Sequence, residues 1–94
     1  MRATLRFRNV EPYQSTKNRA LEKLERLDNY LRGSVDADIT FSTERYKKRI
    51  DIRVIGNGKN YYGKETSRHM FETIDTAVEK IELQLKKTKK RIHL

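Results

Sequence analysis

From Met70 onward the chain carries a stripe at steps of three and four: Met70, Ile74, Ala77, Val78, Ile81, Leu85, Thr88 and Ile92. That spacing lines one side of a helix and predicts one from about Ser67 to about Arg91. A helix with a single apolar stripe cannot bury it alone, so the rest of the chain must supply a surface to cover it.

Upstream the period changes to two. Ala3, Leu5 and Phe7 alternate with Thr4, Arg6 and Arg8; Val35, Ala37, Ile39 and Phe41 alternate with Asp36, Asp38, Thr40 and Ser42; and Ile50, Ile52 and Val54 alternate with Arg49, Asp51 and Arg53. Each reads as a strand buried on one face. Asn9-Val10-Glu11-Pro12 ends the first strand, and Ala20, Leu24, Leu27 and Leu31 recur at helical spacing between about Gln14 and Arg32, before Gly33 supplies a stop. Glu44 to Lys48 reads as a basic loop. Gly56-Asn57-Gly58 is a turn signal leading to a short fourth strand from about Asn60 to Glu65. The expected fold is therefore α+β in the order βαβββα: one four-stranded sheet with both helices packed on one face and the other face left to solvent. Residues 1–94 read as a single domain, with no internal repeat and no Pro/Gly/Ser-rich linker.

Composition narrows the function. A chain of 94 residues with 35% hydrophobic residues supports one modest core, which excludes a large enzyme fold. Without cysteine it has no disulfide, no thiolate nucleophile and no Cys-based metal site, in keeping with a reducing cytoplasm. Apolar runs of two or three residues and the start Met1-Arg2-Ala3-Thr4-Leu5-Arg6 predict neither a membrane span nor a secretory leader. His69 and His93 lie far apart, and the carboxylates are scattered over helix backs, so no acid, base or nucleophile constellation is expected. No metal, cofactor or small-molecule substrate is expected either. Gly56-Asn57-Gly58-Lys59 lacks the spacing of a phosphate loop. Of Tyr61 and Tyr62, one must point into the core, leaving the other as a possible base-stacking ring.

Charge supplies the positive indication. Lys and Arg number 22 against 13 Asp and Glu, a net charge of +9 and a pI of about 10.0, which points to a polyanion. On a wheel of about 100° per residue, Lys80, Gln84, Lys87 and Arg91 share one flank of the second helix, and no carboxylate is expected to join it. Glu72, Asp75, Glu79 and Glu82 fall toward the back and the opposite flank, where Glu82 can pair with Lys86. Arg19, Lys23, Arg26 and Tyr30 gather on a flank of the first helix. With the basic run Lys86-Lys87-Thr88-Lys89-Lys90-Arg91, these give a candidate set for binding a polyanion, most simply RNA or DNA and less so an acidic membrane surface: Arg19, Lys23, Arg26, Lys80, Gln84, Lys87, Lys89, Lys90 and Arg91. If the helices lie side by side, the two flanks form a phosphate-binding groove or ridge. On the outer sheet face Arg6, Arg8, Arg49 and Arg53 are expected to be balanced across strands by Asp36, Asp38 and Asp51, forming structural ladders rather than a ligand surface.

Several stretches carry a resemblance: Asn9-Val10-Glu11 closing the first strand, Ser34-Val35-Asp36-Ala37-Asp38 opening the second, and above all His69-Met70-Phe71-Glu72-Thr73-Ile74-Asp75 followed by Glu79-Lys80-Ile81 and Gln84-Leu85. In these residues and in element order the chain resembles the ribosome hibernation-promoting factor family, which includes the ribosome-associated inhibitor and was once labelled sigma modulation protein. The resemblance implies a non-enzymatic factor that binds small-subunit rRNA of the small ribosomal subunit in the channel for mRNA and tRNA, blocking translation by occlusion. The family's basic positions map onto Lys23, Arg26, Lys80, Lys87, Lys89 and Arg91, of which Lys89 falls on the other flank. Leu83 departs from the pattern, since the family usually has a basic residue beside the helix-two glutamine, and Pro12 stands where an aliphatic is usual. The chain resembles either the short form of the family or the N-terminal domain of the long form. A general double-stranded RNA binder, or a regulator acting on DNA or another protein, remains the alternative.

Overall fold

In the computed structural model the chain runs β1 (Arg2–Arg8), α1 (Gln14–Leu24), a 3-10 segment (Glu25–Tyr30), β2 (Asp36–Glu44), β3 (Lys47–Gly56), β4 (Lys59–Ser67) and α2 (Met70–Ile92). The structure describes residues 1–92, with side chains through Lys87; the stripe residues Thr88 and Ile92, the candidate residues Lys89, Lys90 and Arg91, and His93 have side chains outside the described residues. The four strands form one sheet in the order β1-β2-β3-β4. β1 is parallel to β2, with Leu5 opposite Ile39 and Phe7 opposite Phe41. The two rings stack at 4.6 Å between centroids. The other pairings are antiparallel hairpins. The expected α+β order and the placement of both helices against one sheet face are thus what the chain adopts.

The core follows the two periodicities. The inward residues Ile39, Phe41, Ile50, Ile52 and Val54 are buried against Ala20, Leu24 and Leu27 on one side and Ile74, Ala77, Val78 and Ile81 on the other. Each fully buried aliphatic side chain stabilises the fold by roughly 1.5–3 kcal/mol of transfer free energy. Gly63 sets how closely α2 approaches β4: a Cβ there would lie 2.6 Å from the Ala77 carbonyl oxygen.

Three boundaries differ from the sequence expectation. The first helix is α-helical only to Leu24 and continues as a 3-10 turn. Leu24, Leu27 and Tyr30 are spaced by three, which stacks them on one face of a helix with three residues per turn. The basic loop Glu44 to Lys48 shrinks to a two-residue turn, because Glu44 pairs with Lys47 and only Arg45 and Tyr46 lie outside the strands. Arg45 takes φ of 59° there. Charged side chains facing solvent do not oppose a ladder made by the backbone. At the other hairpin Asn57 and Gly58 adopt φ of 55° and 70°, the left-handed pair that a type I′ turn requires. Finally, β4 extends to Ser67 and α2 begins at Met70 rather than Ser67. The junction is held by hydroxyls: Thr73 donates to the His69 carbonyl at 2.9 Å, the Ser67 and Thr73 oxygens lie 2.6 Å apart, and the His69 N–H donates to Ser67 Oγ at 3.2 Å. His69 therefore serves through its backbone, and its side chain is exposed.

Candidate nucleic-acid interface

The helices lie side by side, but the flank of α2 that meets α1 is the acidic one. Arg19 donates from Nε and Nη2 to the two oxygens of Asp75 at 3.0 and 2.6 Å, and its guanidinium also sits 5.3 Å from the Phe71 ring centre. The paired guanidinium holds the Asp75 carboxyl below its ordinary range, and the nearby charges of Lys23 and Arg26 add to the effect. Further along the seam the Tyr30 hydroxyl donates to Glu82 at 3.3 Å. The expected Glu82–Lys86 pair is not formed.

The Lys80 and Gln84 flank turns the other way, onto the open edge of β4. Lys80 Nζ donates to the Lys64 carbonyl at 3.1 Å and meets Glu65 at 3.1 Å. Gln84 donates to the Tyr62 carbonyl at 2.7 Å and accepts the Tyr62 N–H at 3.4 Å. A carboxylate does join this flank, supplied by β4 rather than by the helix. The Thr66 N–H and, after it, Lys80 hold the Glu65 carboxyl below its usual range. The two basic flanks thus do not line one groove, which corrects the arrangement expected from the wheels.

Among the described residues, Lys23, Arg26 and Lys87 of the candidate set make no ion pair, and neither does Lys86. Arg26, Lys86 and Lys87 are exposed and Lys23 is half-buried. Leu83 is 56% exposed beside them, as the wheel predicts. The available cations are therefore Lys23 and Arg26 at the seam and Lys86 and Lys87 on the exposed side of α2. Arg19, Lys80 and Gln84 are engaged within the fold. No cluster of three or more His, Cys, Asp or Glu able to hold a metal is present among the described residues, and no described helix is long and apolar enough to cross a membrane.

The outer sheet face departs from simple cross-strand balance. Arg2 reaches Asp36 across strands at 3.5 Å, but Arg49 pairs along its own strand with Asp51 and outward with Glu44. Arg6, Arg8 and Arg53 have no ion pair among the described residues. Tyr61 is the buried member of the tyrosine pair, its hydroxyl without a hydrogen-bond partner among the described residues, and Tyr62 is the exposed one.

Comparison with known proteins gives the fold a lineage. No curated protein matches this sequence. Among solved structures, the N-terminal domain of Protein Y from Thermus thermophilus superposes with a TM-score of 0.86 at 30% identity, covering 94% of this chain and 99% of that one. A ribosomal subunit interface protein from Coxiella burnetii superposes with a TM-score of 0.83, covering 95% of this chain and 98% of that one; at 24% identity it speaks to the fold alone. The family model described as sigma 54 modulation protein / S30EA ribosomal protein matches residues 3–93. The resemblance read from the sequence is borne out: the chain belongs to the sigma 54 modulation protein / S30EA ribosomal protein family.

Proposed function

We propose that this protein is a ribosome hibernation factor that binds rRNA of the small ribosomal subunit in the mRNA and tRNA channel and blocks translation by filling it. The observation that carries the reading is a set of cations without ion-pair partners among the described residues, Arg26, Lys86 and Lys87 with Lys23, on the helix layer of a member of a ribosomal protein family. Lys and Arg with no intramolecular carboxylate keep their full charge for phosphate, and each contact gains from counterion release. Lys89, Lys90 and Arg91 extend the same run. Arg19, Lys80 and Gln84 act as struts that fix the helices, so their part in binding is to position the free cations. The recognition is of folded RNA shape and backbone, without base reading, and it needs no catalysis, cofactor or small-molecule substrate. The site of action is the cytoplasm.

The test is competition. Vacant small subunits and subunits filled with mRNA and tRNA are sedimented with the protein, and cell-free translation is measured in parallel. Binding to vacant subunits, loss of binding to filled ones, and inhibition of translation are the expected results. Equal binding to both contradicts channel occlusion. Binding that excess duplex RNA removes as readily as it removes a free duplex indicates a general double-stranded RNA binder instead.

A further inference from the structure

Among the described residues no element covers the sheet face opposite the helices. Its outward residues form rows across the strands: Thr4, Asp38, Arg53 and Tyr62 in one, Arg6, Thr40, Asp51 and Lys64 in the next. Between them lies a shallow depression of about 240 Å³ lined by Arg6, Asp38, Thr40, Asp51, Arg53 and Tyr62.

Tyr62 is the unusual member. It is 45% exposed, yet its hydroxyl is fixed, donating to Asp51 Oδ1 at 2.6 Å. Asp51 is itself gripped by Arg49 through both oxygens, at 2.8 and 3.0 Å. The ring is therefore anchored at its tip across β3 while much of its surface stays open. Asp51 is neutralised by Arg49. Around the ring Arg6, Arg53 and Lys64 have no ion pair among the described residues. Asp38, also without an ion pair, adds a hydrogen-bond acceptor to the floor.

A pre-oriented aromatic ring ringed by uncommitted cations on an open sheet suits a ligand that offers flat π-faces and negative charge at a regular spacing. A single-stranded nucleic acid has both, whereas a duplex hides its base faces in its own stack. We propose that the outer sheet face is a second binding site, for single-stranded RNA, in which an unpaired base stacks on Tyr62 and the neighbouring phosphates meet Arg6, Arg53 and Lys64. The site stands apart from the helix layer and does not rest on the channel-binding reading.

Fluorescence anisotropy with a labelled oligouridine of roughly 12 nucleotides, beside an RNA duplex of the same length, tests it on the full chain. Tyr62→Leu keeps apolar bulk and removes the π-face; it is expected to weaken single-strand binding about tenfold or more and to leave duplex binding within about twofold. Tyr62→Phe keeps the ring and loses only the Asp51 bond, and stays within about threefold of the parent. Arg53→Ala with Lys64→Ala lowers the slope of log affinity against log salt by roughly one to two. The proposal is overturned if Tyr62→Leu, verified as folded by its melting curve, binds the single strand as the parent does. It is equally overturned if the single-strand and duplex affinities fall together, or if Tyr62→Phe is as weak as Tyr62→Leu. Sedimentation of Tyr62→Leu with small ribosomal subunits is expected to match the parent, so failure here and failure of the helix-layer reading are told apart.

Discussion

The Gln84 carboxamide is bonded to both backbone groups of Tyr62, donating to the carbonyl at 2.7 Å and accepting the N–H at 3.4 Å, as the next strand of a sheet would. Lys80, one helical turn earlier, takes the Lys64 carbonyl at 3.1 Å. Four helix residues rise about 6 Å and two strand residues about 6.8 Å, so an i, i+4 pair on a helix matches alternate outward groups on an edge strand. This closes part of an edge that would otherwise invite another chain.

Gln84→Ala therefore frees the Tyr62 amide and carbonyl to solvent. The expected cost is about 0.5–1.5 kcal/mol, read from a denaturation midpoint, together with faster hydrogen exchange at the Tyr62 amide. Unchanged exchange at that amide refutes the edge-closing role.

Gly63→Ala tests the packing distance of α2. The added methyl would meet the Ala77 carbonyl oxygen at 2.6 Å and Ile81 Cγ1 at 3.0 Å, so the helix must shift. A loss of roughly 1–3 kcal/mol in thermal or chemical unfolding is expected. A neutral result means that the helix gives way freely.

The Arg19–Asp75 pair makes stability depend on acid. Asp75 titrates below its ordinary 3.8 in the folded chain, first because Arg19 bonds its charged form. A lowered folded value contributes stability that is fully present above the unfolded value and is lost as pH falls through the folded one. Asp75→Asn should melt lower at neutral pH and lose less on acidification below about pH 4, so that the two melting curves converge at low pH. Asp51 and Glu65, also lowered, leave a residual acid slope in the variant. Parallel loss in both proteins contradicts this account.

These relationships mark where the sequence stops being informative. The inward sides of the strands and of α2 were legible because burial imposes a period of two on Ile50, Ile52 and Val54 and of three to four on Ile74, Ala77, Val78 and Ile81. A wheel also fixes which residues share a flank, and it set Leu83 outward correctly. It does not say which neighbour that flank meets. That follows from the sheet order, which sets α1 beside Asp75 and β4 beside Lys80, and so decides which cations are neutralised. Glu65 and Gly63 act on α2 from another element, and nothing in the period of either segment signals them. The 3-10 turn had a signal in the three-residue spacing of Leu24, Leu27 and Tyr30, but α-helical spacing accommodates the same residues.

Leu83→Arg adds a cation to the exposed side of α2. With Leu83 56% exposed, folding stability should change by no more than about 0.5 kcal/mol. Affinity for small ribosomal subunits should rise and become more salt-dependent. A large drop in melting temperature, or weaker binding, contradicts the assignment of this surface.

The central claim, that uncommitted cations of the helix layer hold the ribosome, is tested most directly by sedimenting the Arg26→Glu, Lys87→Glu double variant with small ribosomal subunits over a series of salt concentrations. Both positions are exposed and make no ion pair among the described residues, so the variant should stay folded, losing at most the longer-range attraction of Arg26 for Asp75. The parent is predicted to co-sediment with an affinity that falls steeply with salt, by a slope near 0.9 per phosphate contact, and the variant to stay in the supernatant. A folded variant that co-sediments as well as the parent, with the same salt slope, would contradict the claim.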